Sequence, residues 1–507
     1  MGRLPPIALA CALASGCSGA EPIAPPDAGD SGPIPSPGDP AAAARGNPLE
    51  TLLFVAPRIE GASARALLLA GAGTIFAGSG RGDRAAATFV SAADVNPGEA
   101  TVGEVAVRCS RAGLHEQALE IAGRIKDVDV RGDALERVID EMVAAGEIDR
   151  ADEAAKRLTS ARWIRALAAV AEGYARSGRK TEAAGALRRA LEVREAQGDG
   201  IVTPGETAEL ARVSALVWKG ETPADLFEEA FDRVAKRVRG DPAGESRRTE
   251  QKVQVIGHYA AAGEFRGALS KAEKLKVDLR HVQALTQIAI AYRERGRMKL
   301  GFDLLGDAIE IAWKMRPSCA KVEAITEITV GYARISATDK VSGTADQALK
   351  VLGKVKQLKK QLCPQTGEVL NDLAGAGACD AIWPHIDLVD DLQRQIDTLL
   401  ANGGICLDER VSRDAVRMLV RADELVTAHG LGDKAPKWAE IARQLARAGE
   451  RDKALAVAAK IDARNPYRVN ALAWILEEYL KAVGSETGSA EERALLDKVW
   501  ELLPEDG

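Results

Sequence analysis
The chain has 507 residues, of which 46% are hydrophobic and 28% charged, with a formal net charge of −6. That balance suits a folded, water-exposed chain with a core, and its Lys and Arg are scattered among Asp and Glu without a basic stripe, which argues against nucleic acid as a partner. No apolar run reaches the length of a membrane span, and a single globular core does not usually grow to this size.

The first 16 residues hold one basic residue, Arg3, and an apolar stretch from Ile7 to Ala14, followed by Leu13-Ala-Ser-Gly-Cys17. This stretch resembles the signal peptide and lipobox of bacterial lipoproteins. In that family the chain is cut before a cysteine, which then carries lipid. The resemblance implies a signal peptide at 1–16, lipidation of Cys17, and a cell-envelope protein held to the membrane only by an N-terminal lipid anchor. Ser18 in place of Asp resembles the variant sorted to the outer membrane, facing the periplasm. Ala14 departs from the preferred Leu. The alternatives are export as a secreted or soluble periplasmic protein after cleavage at Ala14 or Ala20, or no export. Residues 17–48 are Pro, Gly, Ala, Ser and Asp with few large apolar side chains. They cannot bury enough surface to fold, and read as a disordered tether.

From Ala66 to Leu191 a short pattern recurs. Gly80, Gly113, Gly146 and Gly178 are separated by 33, 33 and 32 residues, and five residues after each comes Ala85, Ala118, Ala151 or Ala183. The pair returns as Gly263 with Ala268 and Gly449 with Ala454. Around Gly178 the apolar residues Ile164, Leu167, Ala168, Ala171 and Tyr174, then Ala183, Ala186, Leu187, Ala190 and Leu191, follow helical spacing. Each unit therefore reads helix–turn–helix, with glycine where a helix must end left-handed. One such hairpin cannot bury its own apolar face, so neighbours must stack. The fold class that follows is all-α, an α-solenoid or superhelix of about eleven repeats of roughly 33–43 residues over 49–507.

Tyr174-Ala-Arg-Ser-Gly178 with Ala183 resembles the tetratricopeptide repeat, as do Tyr259, Gly263 and Ala268, and Tyr292 with Gly296. Ala190 and Ala308 fall on that family's later small position. The family's early Trp and terminal Pro are missing, and Gly301 replaces one alanine.

Along the chain, Leu52–Val95 reads as a glycine-rich capping hairpin, 206–239 as a unit turning near Gly220 with Pro223 opening its second helix, and 321–362 as a pair with a longer turn. The stretch 363–433, with Gly375-Ala-Gly377, Pro384 and Asn402-Gly-Gly404, loses the register. Trp438–Ile461 restores it, and two last helices close the stack. Cys319, Cys363, Cys379 and Cys406 cluster in and before the irregular part. In an oxidising compartment they could form two disulfides in any of three connectivities, or remain buried thiols. Cys109 falls on an apolar helix face.

No catalytic set, metal-ligand spacing or cofactor motif emerges. Gly73–Gly80 lacks the lysine of a phosphate loop, His115-Glu116 has no second His, and Arg-Gly-Asp at 81–83 and 131–133 is expected by chance. The reading is a non-enzymatic scaffold that binds a protein or peptide on its concave face. The alternatives are a helical-toroid enzyme or its accessory subunit, and a purely structural envelope lipoprotein. In tetratricopeptide arrays the first helix of each pair lines the concave side. That register places Asp133, Glu136 and Asp140 inward from one unit, and Arg165, Glu172 and Arg176 from the next.

Overall fold
The computed structural model describes residues 46–503, apart from 157, 159–160, 198–201, 219–223, 237–241, 277, 360–362, 364, 430–432 and 484–488. The signal peptide, Cys17, nearly all of the tether, Gly220 and Pro223 lie outside the described residues. Every described element is helical. Helix α1 (Pro48–Val55) precedes twelve hairpins, one more than the spacing implies. They are α2 and α3 (Ala62–Gly78, Gly82–Asp94), α4 and α5 (Glu99–Arg111, His115–Gly123), α6 and α7 (Val128–Ala144, Ile148–Ala155), and α8 and α9 (Ala161–Arg176, Lys180–Gln197). Next come α10 and α11 (Pro204–Val217, Ala224–Lys236), α12 and α13 (Pro242–Ala262, Phe265–Ala272), α14 and α15 (Leu279–Glu294, Met298–Lys314), and α16 and α17 (Cys319–Arg334, Thr338–Lys359). The series ends with α18 and α19 (Thr366–Gly375, Cys379–Ile382), α20 and α21 (Leu392–Asp408, Ser412–Ala428), α22 and α23 (Ala435–Arg447, Arg451–Ala458), and α24 and α25 (Pro466–Val483, Ala490–Leu502).

The turns show why the glycines recur. Gly178 has φ 79°. Its N–H donates to the Ala175 carbonyl at 3.2 Å, and the next N–H, of Arg179, donates to Tyr174 at 2.9 Å. Together these close the helix in a Schellman motif, which needs a left-handed residue. The same pair of bonds recurs at Gly80, Gly113, Gly146, Gly263, Gly296, Gly377 and Gly449. It also forms at Ser336 (φ 63°) and Arg410 (φ 62°), where no glycine marks it. The register that fades in the sequence at 363–433 is therefore present in the backbone. Gly403 and Gly404 do not break it: they lie inside α20, where the Leu419 side chain comes within 3.0 Å of a Cβ built at Gly403.

Five residues after the turns, Ala85, Ala118, Ala151, Ala183, Ala268, Ala415 and Ala454 are fully buried. At Gly301 a Cβ would stand 2.6 Å from the Ala289 carbonyl oxygen, so that unit admits no side chain there.

Helices α2, α4, α6 and so on to α24 pack each on the next, with their hairpin partners behind them. The series then closes, because α24 packs on α2 and on α1. The first hairpin is therefore no capping unit. Across the seam the Glu60 N–H donates to Asn470 Oδ1 at 3.2 Å, the Asn470 amide donates back to the Glu60 carbonyl at 3.4 Å, and the Phe54 ring lies 5.4 Å from that of Trp500. The glycine-rich character of α2 serves this contact. A Cβ at Gly71 would overlap the Glu477 carboxylate, whose carbon is 2.6 Å away. The solenoid is a closed ring of two helical layers, and one apolar core runs through the seam, joining Leu52 and Ile59 to Leu472 and Leu476.

Cys319 at the start of α16 is bonded to Cys363 after α17, and Cys379 of α19 to Cys406 of α20, with Cα–Cα distances of 5.5 and 6.1 Å. Cys109 is a free, buried thiol, and burial pushes its pKa up to about 12. None of the described helices is long and apolar enough to cross a membrane.

Candidate functional site
The inner wall of the ring is built from the polar faces of the first helices. On α6, Ala134, Leu135, Val138, Ile139 and Met142 are buried against neighbours, which leaves Asp133, Glu136 and Asp140 on the opposite stripe. On α8, Ile164, Leu167, Ala171 and Tyr174 are buried, and Arg165, Glu172 and Arg176 share the other face.

These residues meet side chains of the adjoining units. Arg165 donates to Glu136 at 2.9 Å and lies 3.9 Å from Glu206 of α10. Glu172 holds Arg176 on its own helix and Arg212 of α10, each at 2.5 Å. Arg212 also reaches Glu209 at 2.6 Å, and Glu209 accepts from His258 of α12 at 2.9 Å. Earlier in the ring, Glu104 of α4 pairs with Arg137 of α6 at 2.8 Å. The wall is thus a belt of ion pairs that bridge one unit to the next. The exposed members, Arg176 above all, remain open to a partner.

The electrostatics follow the packing. Burial pushes the Glu136 carboxyl up to about 7; Arg165 opposes that, while Asp140 and Glu206 add to it. Asp140 is raised to about 6, chiefly by burial. Burial also works against the charge of Glu209, but hydrogen bonds from Arg212 and His258 win and hold it well below the usual carboxylate range.

Further round, the belt changes character. Glu250 of α12 lies 3.7 Å from Arg280 of α14, and Gln283 donates to Glu327 of α16 at 3.2 Å. Then Glu323, Glu327, Glu368 and Asp372, from α16 and α18, line one cavity of about 420 Å³ in which Arg334 is the only cationic side chain among the described residues. Asp372 is raised to about 6 by burial and by the charges of Glu327 and Glu368. Glu323 and Glu327 are also raised, burial being the main cause. This cavity shares Glu368 and Asp372 with a larger one of about 1200 Å³, lined by Asp408 of α20, Arg443 and Arg447 of α22, and Glu478 and Lys481 of α24. Glu250 also lines the larger cavity, so α12 faces α24 across the lumen.

The sequence placed Glu136, Arg165 and Glu172 on the inner stripe but did not reveal their bridging partners. It missed the acidic cavity altogether. Its four carboxylates sit at inner positions of α16 and α18 and look like ordinary solvated helix faces. The inward register was carried by glycine, and the turn that ends α16 falls at Ser336, so no glycine pointed to its face.

Among the described residues, no group of three or more His, Cys, Asp or Glu side chains is arranged to hold a metal ion. No protein-family model matches the chain, and no curated protein matches it significantly. Among solved structures it is similar to Ton1535 from Thermococcus onnurineus NA1, with 14% identity over 74% of this chain and 99% of that one and a TM-score of 0.26. The pentatricopeptide repeat protein PPR10 from maize matches with 14% identity over 84% and 67% of the two chains and a TM-score of 0.27. A circular tandem repeat protein matches with 15% identity over 87% and 95% and a TM-score of 0.21. Likenesses at these scores carry no argument, so the helical-repeat architecture rests on the chain's own hairpins, turns and seam.

Proposed function
We propose that the chain is a non-enzymatic scaffold that binds a protein or peptide on the inner wall of its ring. The observation that supports this most is the belt of charged side chains facing the lumen on successive units. Charged groups in such a surface steer association and set specificity more than they add affinity. Arg165 also holds Glu136, so reversing its charge would disturb the wall itself. Arg176 is largely exposed, and Glu172 keeps Arg212 without it. Arg176→Glu, combined with the neutral Arg165→Gln, is therefore expected to weaken binding about fivefold to thirtyfold at low salt, from a loss of about 1–2 kcal/mol. Helicity is expected to stay intact. The check is titration of a partner recovered by pulldown; unchanged affinity at low salt would remove this face.

Tethering is part of the same proposal and rests on Leu13–Cys17 and the tether. Expressed in a Gram-negative host, the full chain is expected in the membrane fraction, and Cys17→Ala is expected to block processing or release the protein. A wild-type chain found wholly in the cytosol would end the lipoprotein reading. A periplasmic soluble chain would favour ordinary secretion.

A further inference from the structure
The cavity between α14, α16 and α18 differs from the rest of the inner wall in its charge and in its unused hydrogen-bonding groups. Elsewhere several inner carboxylates have cationic partners from the next unit, as at Glu104, Glu136 and Glu172. Here Glu323, Glu368 and Asp372 make no ion pair among the described residues, and Arg280, the nearest cation on α14, is directed to Glu250. An excess of negative charge on a wall costs stability through self-repulsion. Asp372 is raised first by burial and then by the charges of Glu327 and Glu368.

A second observation is independent of the charge. Thr286 of α14 and Thr326 of α16 line the same cavity, are 1% and 3% exposed, and have hydroxyls with no hydrogen-bond partner. A helical threonine normally satisfies its hydroxyl on the carbonyl four residues back, as Thr329 does here at 2.8 Å. A buried hydroxyl left unpaired keeps its desolvation cost without a compensating bond. A bound donor would remove that cost at both positions.

We propose that this cavity binds an aliphatic ammonium ion, presented either by a free polyamine or by the lysine end of a peptide. An ammonium group carries three N–H donors and no acceptor. It meets carboxylate and hydroxyl oxygens here, with Gln283 and Gln287 beside them. Ile290, Val330 and Val369 line the same space and suit methylene spacers. The carboxylates are spread along two helices and do not converge on a point, which matches an elongated organic cation better than a compact metal ion. The volume of about 420 Å³ lies within the range of small-molecule sites. The site is on the far side of the ring from α6 and α8 and does not depend on the scaffold reading.

Calorimetric titration of the whole chain with spermidine, with a lysine-rich peptide and with Ca²⁺ tests the proposal. Saturable binding of spermidine or of the peptide is expected at low salt, and the tighter of the two identifies the source. Glu327→Gln with Asp372→Asn is expected to weaken it at least about tenfold, since hydrogen bonds to charged groups contribute about 1.5–3 kcal/mol each. Both changes remove mutual repulsion, so the folded chain should be kept. Thr286→Val, nearly the same shape, keeps every charge and should weaken binding several-fold.

Binding should also fall between pH 7 and pH 5, as Asp372 takes up its proton. The groups facing it are Glu327 and Arg334 of α16 and Glu368 of its own helix; Glu323 lies beyond these, with Arg280 of α14 and Glu250 of α12, and Asp408 of α20 stands on the far side. The proposal is overturned if neither amine binds, if the double variant and Thr286→Val bind as the wild type does, or if Ca²⁺ binds more tightly than both amines.

Discussion
Gly71→Val is expected to destabilise the ring by about 2–4 kcal/mol, the range of overpacking combined with a displaced buried charge. The reason lies at the seam between the first and last hairpins. Glu477 is 5% exposed, paired with Lys481 at 2.7 Å, and its carboxylate occupies the space a side chain at Gly71 would take. A valine there must drive the carboxylate out or separate α2 from α24. Because the two positions touch, Glu477→Ala should relieve the clash. The double variant Gly71→Val/Glu477→Ala is then expected to be more stable than the sum of the single effects by about 1–3 kcal/mol, the usual coupling of contacting residues. Denaturant unfolding of the four chains measures this. Simple additivity would mean that residues 71 and 477 do not meet.

Removing the disulfides is the second large effect. Cys319–Cys363 closes a loop of 44 residues and Cys379–Cys406 one of 27. Chain entropy assigns these about 4 and about 3.5 kcal/mol of stabilisation at 25 °C. They tie down α16 to α20, where one repeat has its second helix cut to a single turn, α19, followed by a 3₁₀ segment at Trp383–Leu388. Reduction is expected to make 319–406 the first stretch to open, read as the first region to lose amide protection in hydrogen exchange. A chain starting at residue 46 has five cysteines. Alkylation after denaturation without reductant should modify one of them, Cys109, and after reduction all five. Three or five modified thiols before reduction would contradict this pairing.

The parts legible in the sequence are those whose cause is local. A helix end that must turn left-handed recruits glycine, so seven turns are visible at Gly80, Gly113, Gly146, Gly178, Gly263, Gly296 and Gly449, while Gly377 turns the same way inside the stretch whose register the sequence loses. Ser336 and Arg410 adopt the same backbone at a local cost, and their turns are invisible to a search for glycine. Gly403 and Gly404 mislead in the other direction, because a helix interior also takes glycine where a neighbour comes close. Helical periodicity sets Asp133, Glu136, Asp140, Arg165, Glu172 and Arg176 on polar stripes, and the tetratricopeptide resemblance supplied the inward direction. The partners Glu206 and Arg212 do not, because they depend on how units stack. Closure is less legible still. The Glu60–Asn470 contact joins residues 410 apart, and neither end has a local signature. The glycines of α2 were the available signal, since a helix with Gly71 and Gly73 in its buried face must lie against something close.

The closed ring is the claim on which the lumen, the inner wall and the acidic cavity all depend. Twelve inner helices about 9–10 Å apart on a closed path lie about 18 Å from the centre, with the outer layer about 9 Å beyond. Small-angle X-ray scattering of the chain from residue 46 tests this most directly. The ring predicts a radius of gyration of about 25 Å, close to the ~23 Å of a compact chain of this length, and a pair-distance distribution that ends near 70–80 Å, roughly the outer diameter those spacings give once side chains are added. An open superhelix with separated ends would instead give a larger radius and a long tail in that distribution, and would contradict the account.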